Sequence, residues 1–462
     1  MKLKIKTLTP IHIGTGKRLK SLDFINNYRI DFDKLFNLIS EENQDDFFNY
    51  IDKVAPNELT IKNLQKKFNL PTKKIISECA FYRFPNFFYG PIHEAIKDSH
   101  NKLYIPGSSI KGSLRTALIY KVLKSSYRKF LHEYLDKLIN DANKIKGKNR
   151  KIKELLKNAD NKLEEKVFIC GVEKEKNGNI KINYNDQKYD LMKIVRINDS
   201  SSVSTYEEGE ISELQVYALK KLQAHKPFKT YTESIKKNVE LEFDISVDVD
   251  FLYKAKKELK NQNSEFGNKY FIGIEEKLKN LFDIDILEDE NISEDKIINT
   301  IIKSWNDFGQ VVSELEKKWV DSIKYKNNDI NPLLKLYDIK NKFKIGFGSG
   351  FSGMTILPLL LMDESLRLKV EKFYKAVGIG FHRSTKTPLN IDNYPFTRKY
   401  LNNHINNVGF GWINIKFLNS ERNNLSNIEN KNKIGSKNNT NNENELDLSK
   451  LSKLGRITKL KK

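Results

Sequence analysis

Lys111 and Arg115 stand four residues apart in the segment Tyr104-Ile-Pro-Gly-Ser-Ser-Ile-Lys-Gly-Ser-Leu-Arg115. On a helix that spacing projects both cations from one face. Pro106 and Gly107 break a preceding strand, and Ser108 or Ser109 can cap the helix that follows. Its first turn would set unpaired N–H groups and a positive dipole end beside Ser108, Ser109, Lys111, Gly112 and Arg115. Such an end attracts phosphate. The segment also reads as ordinary capped-helix architecture, with Ile110, Leu114, Ala117, Leu118 and Val122 as its buried stripe. It is not a triphosphate-binding loop, because Lys111 precedes Gly112 instead of following a second glycine.

Two glycine-bearing segments add to the set. The first, Thr9-Pro-Ile-His-Ile-Gly-Thr-Gly-Lys17, is expected to be a turn-rich loop with His12, Gly14, Thr15, Gly16 and Lys17. The second, Phe343-Lys-Ile-Gly-Phe-Gly-Ser-Gly-Phe-Ser-Gly-Met-Thr355, carries Gly346, Phe347, Gly348, Gly350 and Phe351. A run of glycines lets one backbone approach another and turn its N–H groups toward phosphate oxygens, or it simply makes a tight turn. Gly348–Gly353 matches the spacing of the dinucleotide-binding fingerprint, but the Leu-rich run after it lacks the second strand that fingerprint needs. The order Lys344–Phe351 echoes the aromatic RNA-contacting strand of RNA-recognition motifs.

Cleavage chemistry has two candidate starting points. Metal-free RNA cleavage needs a base, an acid and cationic stabilisation, which His12 with Lys17 or Lys111 could supply. A histidine between two isoleucines also reads as a structural hydrogen-bonding residue. Metal-dependent cleavage needs exposed carboxylates, and Asp23 is the nearest to the first loop without a second carboxylate to pair with it. The reading is therefore an RNA-binding protein without a catalytic residue, metal or cofactor, and an endoribonuclease using His12 is the alternative.

These segments have to be held by a mixed α+β fold. Strand patterns recur at Lys2–Leu8, Leu22–Tyr28, Val167–Val172, Ile180–Tyr184, Leu191–Asp199, Val203–Glu207, Leu214–Leu219, Asn238–Asp248 and Trp412–Leu418. Helical patterns occupy Asp31–Ile39, Asp45–Val54, Thr60–Phe68, Ile272–Leu281 and Glu294–Trp319, and the charged stretch Ser125–Lys166 reads as a helical insertion. The expected division is one domain over 1–222, a second over 223–418, and a mostly disordered tail over 419–462 with a possible docking segment at Leu446–Leu460.

The chain of 462 residues carries 81 Lys plus Arg against 60 Asp plus Glu, a formal net charge of +21, which favours a polyanionic partner. Its saturation with Lys, Asn and Ile also fits a codon pool poor in G and C, so the scarcer arginines, Arg115 and Arg196 among them, carry more weight. Cys79 and Cys170 make neither a zinc motif nor a disulfide framework. The first residues lack the apolar core of a signal peptide, and no stretch reaches the length of a membrane span, so a cytoplasmic protein is expected.

In order, Leu8-Thr-Pro-Ile-His-Ile-Gly-Thr-Gly16, Ile105–Arg115, Val195-Arg-Ile-Asn-Asp-Ser200 and Lys344–Phe351 resemble the motifs of the RAMP superfamily of CRISPR effector subunits. More narrowly, they resemble the fifth-subunit family of type III-A (Csm) complexes, which caps the 3′ end of the CRISPR RNA. The resemblance implies two ferredoxin-like (RNA-recognition-motif-like) RAMP domains, crRNA and other Csm subunits as partners, above all the repeated backbone subunit, and a part in crRNA 3′-end maturation beside a recruited processing nuclease. It also implies that Lys111 and Arg115 contact the guide backbone and that the loops at Gly14–Lys17 and Gly346–Phe351 line the same channel.

Overall fold

In the computed structural model of the chain, the described residues are 1–55, 58–87, 90–170, 173–174, 180–181, 189–218, 229–261, 273–321, 331–379, 397–403 and 406–418. Strand Lys2–Thr7 alternates strictly: Leu3, Ile5 and Thr7 are buried while the lysines between them are not. Its antiparallel neighbour Glu240–Val247 alternates in the same way, and the register sets Lys2, Lys4 and Lys6 opposite Asp244, Glu242 and Glu240. Apolar residues therefore share one face and complementary charges the other, which pins the register.

These strands are central in a five-stranded sheet ordered Lys342–Lys344, Trp412–Phe417, Lys2–Thr7, Glu240–Val247, Val195–Ile197. Helices Gly107–Lys124 and Glu294–Asp321 pack on it and on each other. Trp305 joins the layers: its ring stacks on Phe343 at 4.1 Å, and its Nε1–H donates to the Ser113 hydroxyl at 2.8 Å. Along the chain the path is strand 2–7, helix 107–124, strands 195–197 and 240–247, helix 294–321, strand 412–417.

A six-stranded sheet runs Asn406–Val408, Thr397–Asn403, Gly209–Ala218, Lys229–Ile235, Ile92–Ala95, Gly14–Leu19. Both sheets take strands from either side of residue 222, and Met1–Lys416 forms one compact unit. A third, small sheet, Phe24–Ile25, Tyr28–Ile30 and Ala80–Arg83, sits with helices Phe32–Asn37, Gln44–Lys53, Ile61–Lys67 and Thr72–Cys79, whose core includes Leu35, Phe47, Ile61, Leu64 and Ile75.

The charged stretch 125–166 is helical, as its sequence implies, in helices Arg128–Lys144, Asn149–Lys157 and Asn161–Phe168. The first of these packs on helix Glu364–Val377, with ion pairs Arg128–Asp363 and Lys369–Asp136 at its margins. Three strand expectations are corrected. Val167 and Phe168 end a helix, Leu191–Ile194 is a 3-10 turn leading into strand Val195–Ile197, and Ser204–Glu208 is a turn. In each case apolar residues needed for burial were spaced closely enough to mimic a strand. The tail 419–462 lies outside the described residues. Among the described residues no helix is long and apolar enough to cross a membrane, and no group of His, Cys, Asp and Glu is placed to hold a metal ion.

Candidate nucleic-acid interface

The first glycine segment is a strand rather than the expected loop. Gly14–Leu19 forms the edge of the six-stranded sheet and pairs with Ile92–Ala95. Gly14 faces Ala95 and Arg18 faces His93, so the strand bulges between them, at Gly16 with φ +88°. An edge bulge re-aims side chains. Here Lys17 and Arg18 are left exposed, while Thr15 turns its hydroxyl to the Glu94 carboxylate at 2.9 Å.

The second glycine segment meets the first directly. Strand Lys342–Lys344 ends, Gly346 takes φ +69°, and the N–H of Phe347 donates to the carbonyl of His12 at 2.8 Å. A Cβ at Gly346 would lie 2.4 Å from that same carbonyl oxygen, so the contact requires glycine. Ser349 then ties back to the Gly346 carbonyl at 2.7 Å before the short helix Gly350–Met354.

Between the two segments lies a cavity of about 750 Å³, lined by His12, Gly14, Gly16, Lys17, Arg18, His93 and Glu94, by Gly346 through Ser352, and by Arg398 and Lys399. The two glycine segments thus line one space, and Phe347 and the exposed Phe351 bring aromatic surface to it.

One wall is a buried ionic knot. Arg398 Nε donates to both carboxylate oxygens of the fully buried Glu316, at 3.1 and 3.0 Å, Ser352 donates at 2.6 Å, and Lys344 stands 3.8 Å away. Burial alone would raise the Glu316 carboxyl, but the two cations and the hydroxyl overcome it and hold the pKa below the usual range.

The opposite wall is cationic. Lys399 places its ammonium 4.1 Å over the Phe347 ring, whose centroid lies 5.3 Å from that of His93. Burial and then the charge of Arg18 push the Lys399 pKa down, and burial, Arg18 and Lys399 together lower that of His93. Among the described residues neither Arg18 nor Lys399 has a carboxylate within ion-pair distance.

His12 forms part of the floor, 2 % exposed. Its Nδ1–H donates to the backbone carbonyl of Glu233 at 2.6 Å, and burial lowers its pKa to about 4. The Glu233 carboxylate accepts from the Tyr82 hydroxyl and the Ala95 N–H, each at 2.8 Å, and from the Lys97 ammonium. The floor is therefore fixed by a fully hydrogen-bonded buried acid.

The opening helix is held elsewhere. Neither Ser108 nor Ser109 caps it: Pro106 occupies the N-cap position, and the Gly107 N–H donates to the Asp199 carboxylate at 2.8 Å. A Cβ on Gly107 would come within 2.3 Å of the Ile197 carbonyl, which is why this turn can dock so closely. The anion at the helix start is thus supplied by the Val195–Ser200 segment. Lys111 donates to the Val195 carbonyl at 2.7 Å, and burial lowers its pKa. Arg115 bridges Glu164 at 2.8 Å and Asp190 at 2.7 Å over the ring of Phe168, while Arg196 pairs with Asp248 at 2.5 Å. Gly112 is exposed on the same helix. None of these residues lines the cavity. The proximity of lysine and arginine to a helix start was real, but the chain's own carboxylates and carbonyls occupy them.

Sequence reasoning passed over His93 and Lys399 and mentioned Arg18 only in passing. A signal for His93 was present: Pro91-Ile92-His93 repeats Pro10-Ile11-His12, and the two triplets bring their imidazoles to one cavity, ring centroids 6.2 Å apart. Lys399 carried no signal of its own, since only the pairing of strand Thr397–Asn403 with Gly209–Ala218 brings it to this sheet.

Comparison with known proteins agrees with this architecture. The RAMP superfamily model matches residues 4–311. The chain is 25% identical over 448 residues to the CRISPR system Cms protein Csm5 of Methanocaldococcus jannaschii, covering 90% of this chain and 89% of that one. It is 26% identical over 288 residues to the Csm5 protein of Streptococcus thermophilus, covering 58% of this chain and 70% of the relative. Among solved structures, a chain of a type III-A Csm–crRNA–target RNA ternary complex superposes with a TM-score of 0.61 at 21% identity, over 90% of this chain and all (100%) of that one. The crystal structure of T. onnurineus Csm5 gives 0.52 at 21% identity, over 89% and 99% of the two chains. With the family model matched over two-thirds of its length and the motif segments in the family's order, the chain belongs to the RAMP superfamily.

Proposed function

We propose that this protein is a non-catalytic RNA-binding subunit of a type III-A CRISPR effector complex in the cytoplasm. In this reading it binds the 3′ region of the crRNA, caps the filament of backbone subunits and supports 3′-end maturation in antiviral defence. The carrying observation is the cavity that both glycine segments line, joined by the Phe347 to His12 hydrogen bond and walled by Lys17, Arg18 and Lys399. Cations interleaved with aromatic rings suit a single strand, whose phosphates and bases they contact respectively. The residues proposed to face RNA are His12, Gly14, Gly16, Lys17, Gly346, Phe347, Gly348, Gly350 and Phe351. The named relatives support the assignment to a Csm complex.

The path strand, helix, strand, strand, helix, strand through the five-stranded sheet supports one ferredoxin-like lobe, and the six-stranded sheet is proposed as the core of the second. On this reading the lobes are sheets woven from the whole chain rather than consecutive halves. Reconstitution tests the function: the chain should enter a complex with guide RNA and backbone subunit, and its omission should leave guide 3′ ends unprotected. Unaltered guide ends and filament length without it would refute the capping role.

Metal-independent cleavage by His12 gains one observation, the neighbouring His93 at 6.2 Å. Against it, a pKa of about 4 leaves His12 neutral near pH 7, with no proton to give as an acid and little drive to take one as a base. Intact guide RNA after incubation with the purified chain is expected, and cleavage lost in His12→Ala would reverse the assignment.

A further inference from the structure

The cationic wall carries a more specific assignment, which rests on the RNA-binding reading above. We propose that Arg18 and Lys399 together seat one phosphate of a single-stranded RNA, with His93 as the hydrogen-bonding neighbour between them.

The geometry gives three reasons. First, the two side chains converge from strands at well-separated places in the six-stranded sheet, Gly14–Leu19 and Thr397–Asn403, onto one cavity, and neither has a carboxylate partner among the described residues. Like charges gathered without a counter-ion cost energy in the free protein, and an anion between them recovers it. The nearby Glu316 does not fill this role, since Arg398, Lys344 and Ser352 already occupy its oxygens. Second, Lys399 is positioned by the Phe347 face at 4.1 Å, and Phe347 is itself anchored by its N–H on the His12 carbonyl. The cation is thus tied to the junction of the glycine segments rather than left to wander. Third, a cavity of about 750 Å³ falls within the range of about 300–1,000 Å³ typical of pockets for small ligands, so it suits one nucleotide unit and not a paired duplex.

Phosphate in this seat could be an internal diester or a terminal group, and the experiment separates them. The full chain would be titrated by fluorescence anisotropy with a short labelled uridine oligonucleotide ending in a 3′-hydroxyl or a 3′-phosphate, over a series of salt concentrations. Arg18→Gln with Lys399→Gln should lower the slope of log affinity against log salt by about 0.7 per lost contact, roughly 1.4 in all if both act on single-stranded phosphate. The pair Lys62→Gln and Lys73→Gln, exposed lysines on the small helical subdomain, removes equal charge and should leave the slope unchanged. Arg18→Lys with Lys399→Arg, which keeps both charges, should retain it, and so separates loss of the seat from loss of the fold. A gain in affinity for the 3′-phosphate that the Gln pair abolishes assigns a terminal group, while equal affinities with the slope change assign a diester. A wild-type slope in the Gln pair would overturn the seat while leaving RNA binding intact. Unchanged RNA binding with lost assembly onto a partner subunit would overturn it in favour of a protein carboxylate. No salt-dependent RNA binding by the wild type, alone or assembled, would instead remove the reading beneath it.

Discussion

The N–H of Phe347 donates to the carbonyl of His12 at 2.8 Å, and this one bond joins two glycine-bearing segments from opposite ends of the folded chain. Gly346 makes it possible by accepting φ +69° with no side chain toward that carbonyl. Gly346→Ala should therefore lower stability by about 1–3 kcal/mol and weaken RNA binding. Gly112→Ala, a helical position with nothing within 4 Å of the new methyl, should instead raise stability by up to about 1 kcal/mol. Denaturant titration of both variants checks the opposite signs.

His12 makes stability depend on pH. Its folded pKa of about 4 lies below the ordinary value of 6.5, so the unfolded chain takes up its proton first. This contribution is complete above about pH 6.5 and is lost as pH falls toward about 4, with stability rising with pH between those limits. A lowering of that size corresponds to about 3 kcal/mol. His12→Gln should flatten that part of the stability profile relative to wild type, as followed by unfolding at a series of pH values. Parallel profiles for the two proteins would contradict it.

Glu316 neutralises two buried cations. Glu316→Gln leaves Arg398 and Lys344 without their carboxylate in a site where the acid is 0% exposed, so a loss of about 3–5 kcal/mol is expected. Thermal unfolding would show it. Because the acid is held below the usual carboxylate range, its contribution is present near neutral pH and declines only in acid.

Arg115 should behave as a structural cation. Its replacement by alanine frees Glu164 and Asp190, and a cost of about 1–2 kcal/mol is expected, between exposed and buried pairs. The salt slope of RNA binding should not move. A slope reduced without loss of stability would return Arg115 to phosphate contact.

The alternating strands at Lys2–Thr7 and Glu240–Val247 and the long helix Glu294–Asp321 were legible because their apolar spacing repeats without interruption. The motifs were legible as types: both glycine segments do meet. What sequence could not show was the partner each charge finds. Arg115 and Lys399 look alike in composition, yet Asp190 and Glu164 fold onto the first while the second reaches the cavity without an acid. The capping serines failed for the same reason, since Asp199 arrives from a distant loop to take the Gly107 N–H. The interleaving of strands across residue 222 is likewise a matter of long-range pairing, which local periodicity does not encode.

The most direct measurement is photo-crosslinking of thiouridine-substituted guide RNA in the assembled complex, with the attached peptides identified by mass spectrometry. Cross-links should fall on residues 14–18, 346–351 and 397–400, and should be lost with Arg18→Gln and Lys399→Gln. Cross-links confined to the helix at 107–124, with none on the cavity walls, would contradict the placement of RNA between the two glycine segments.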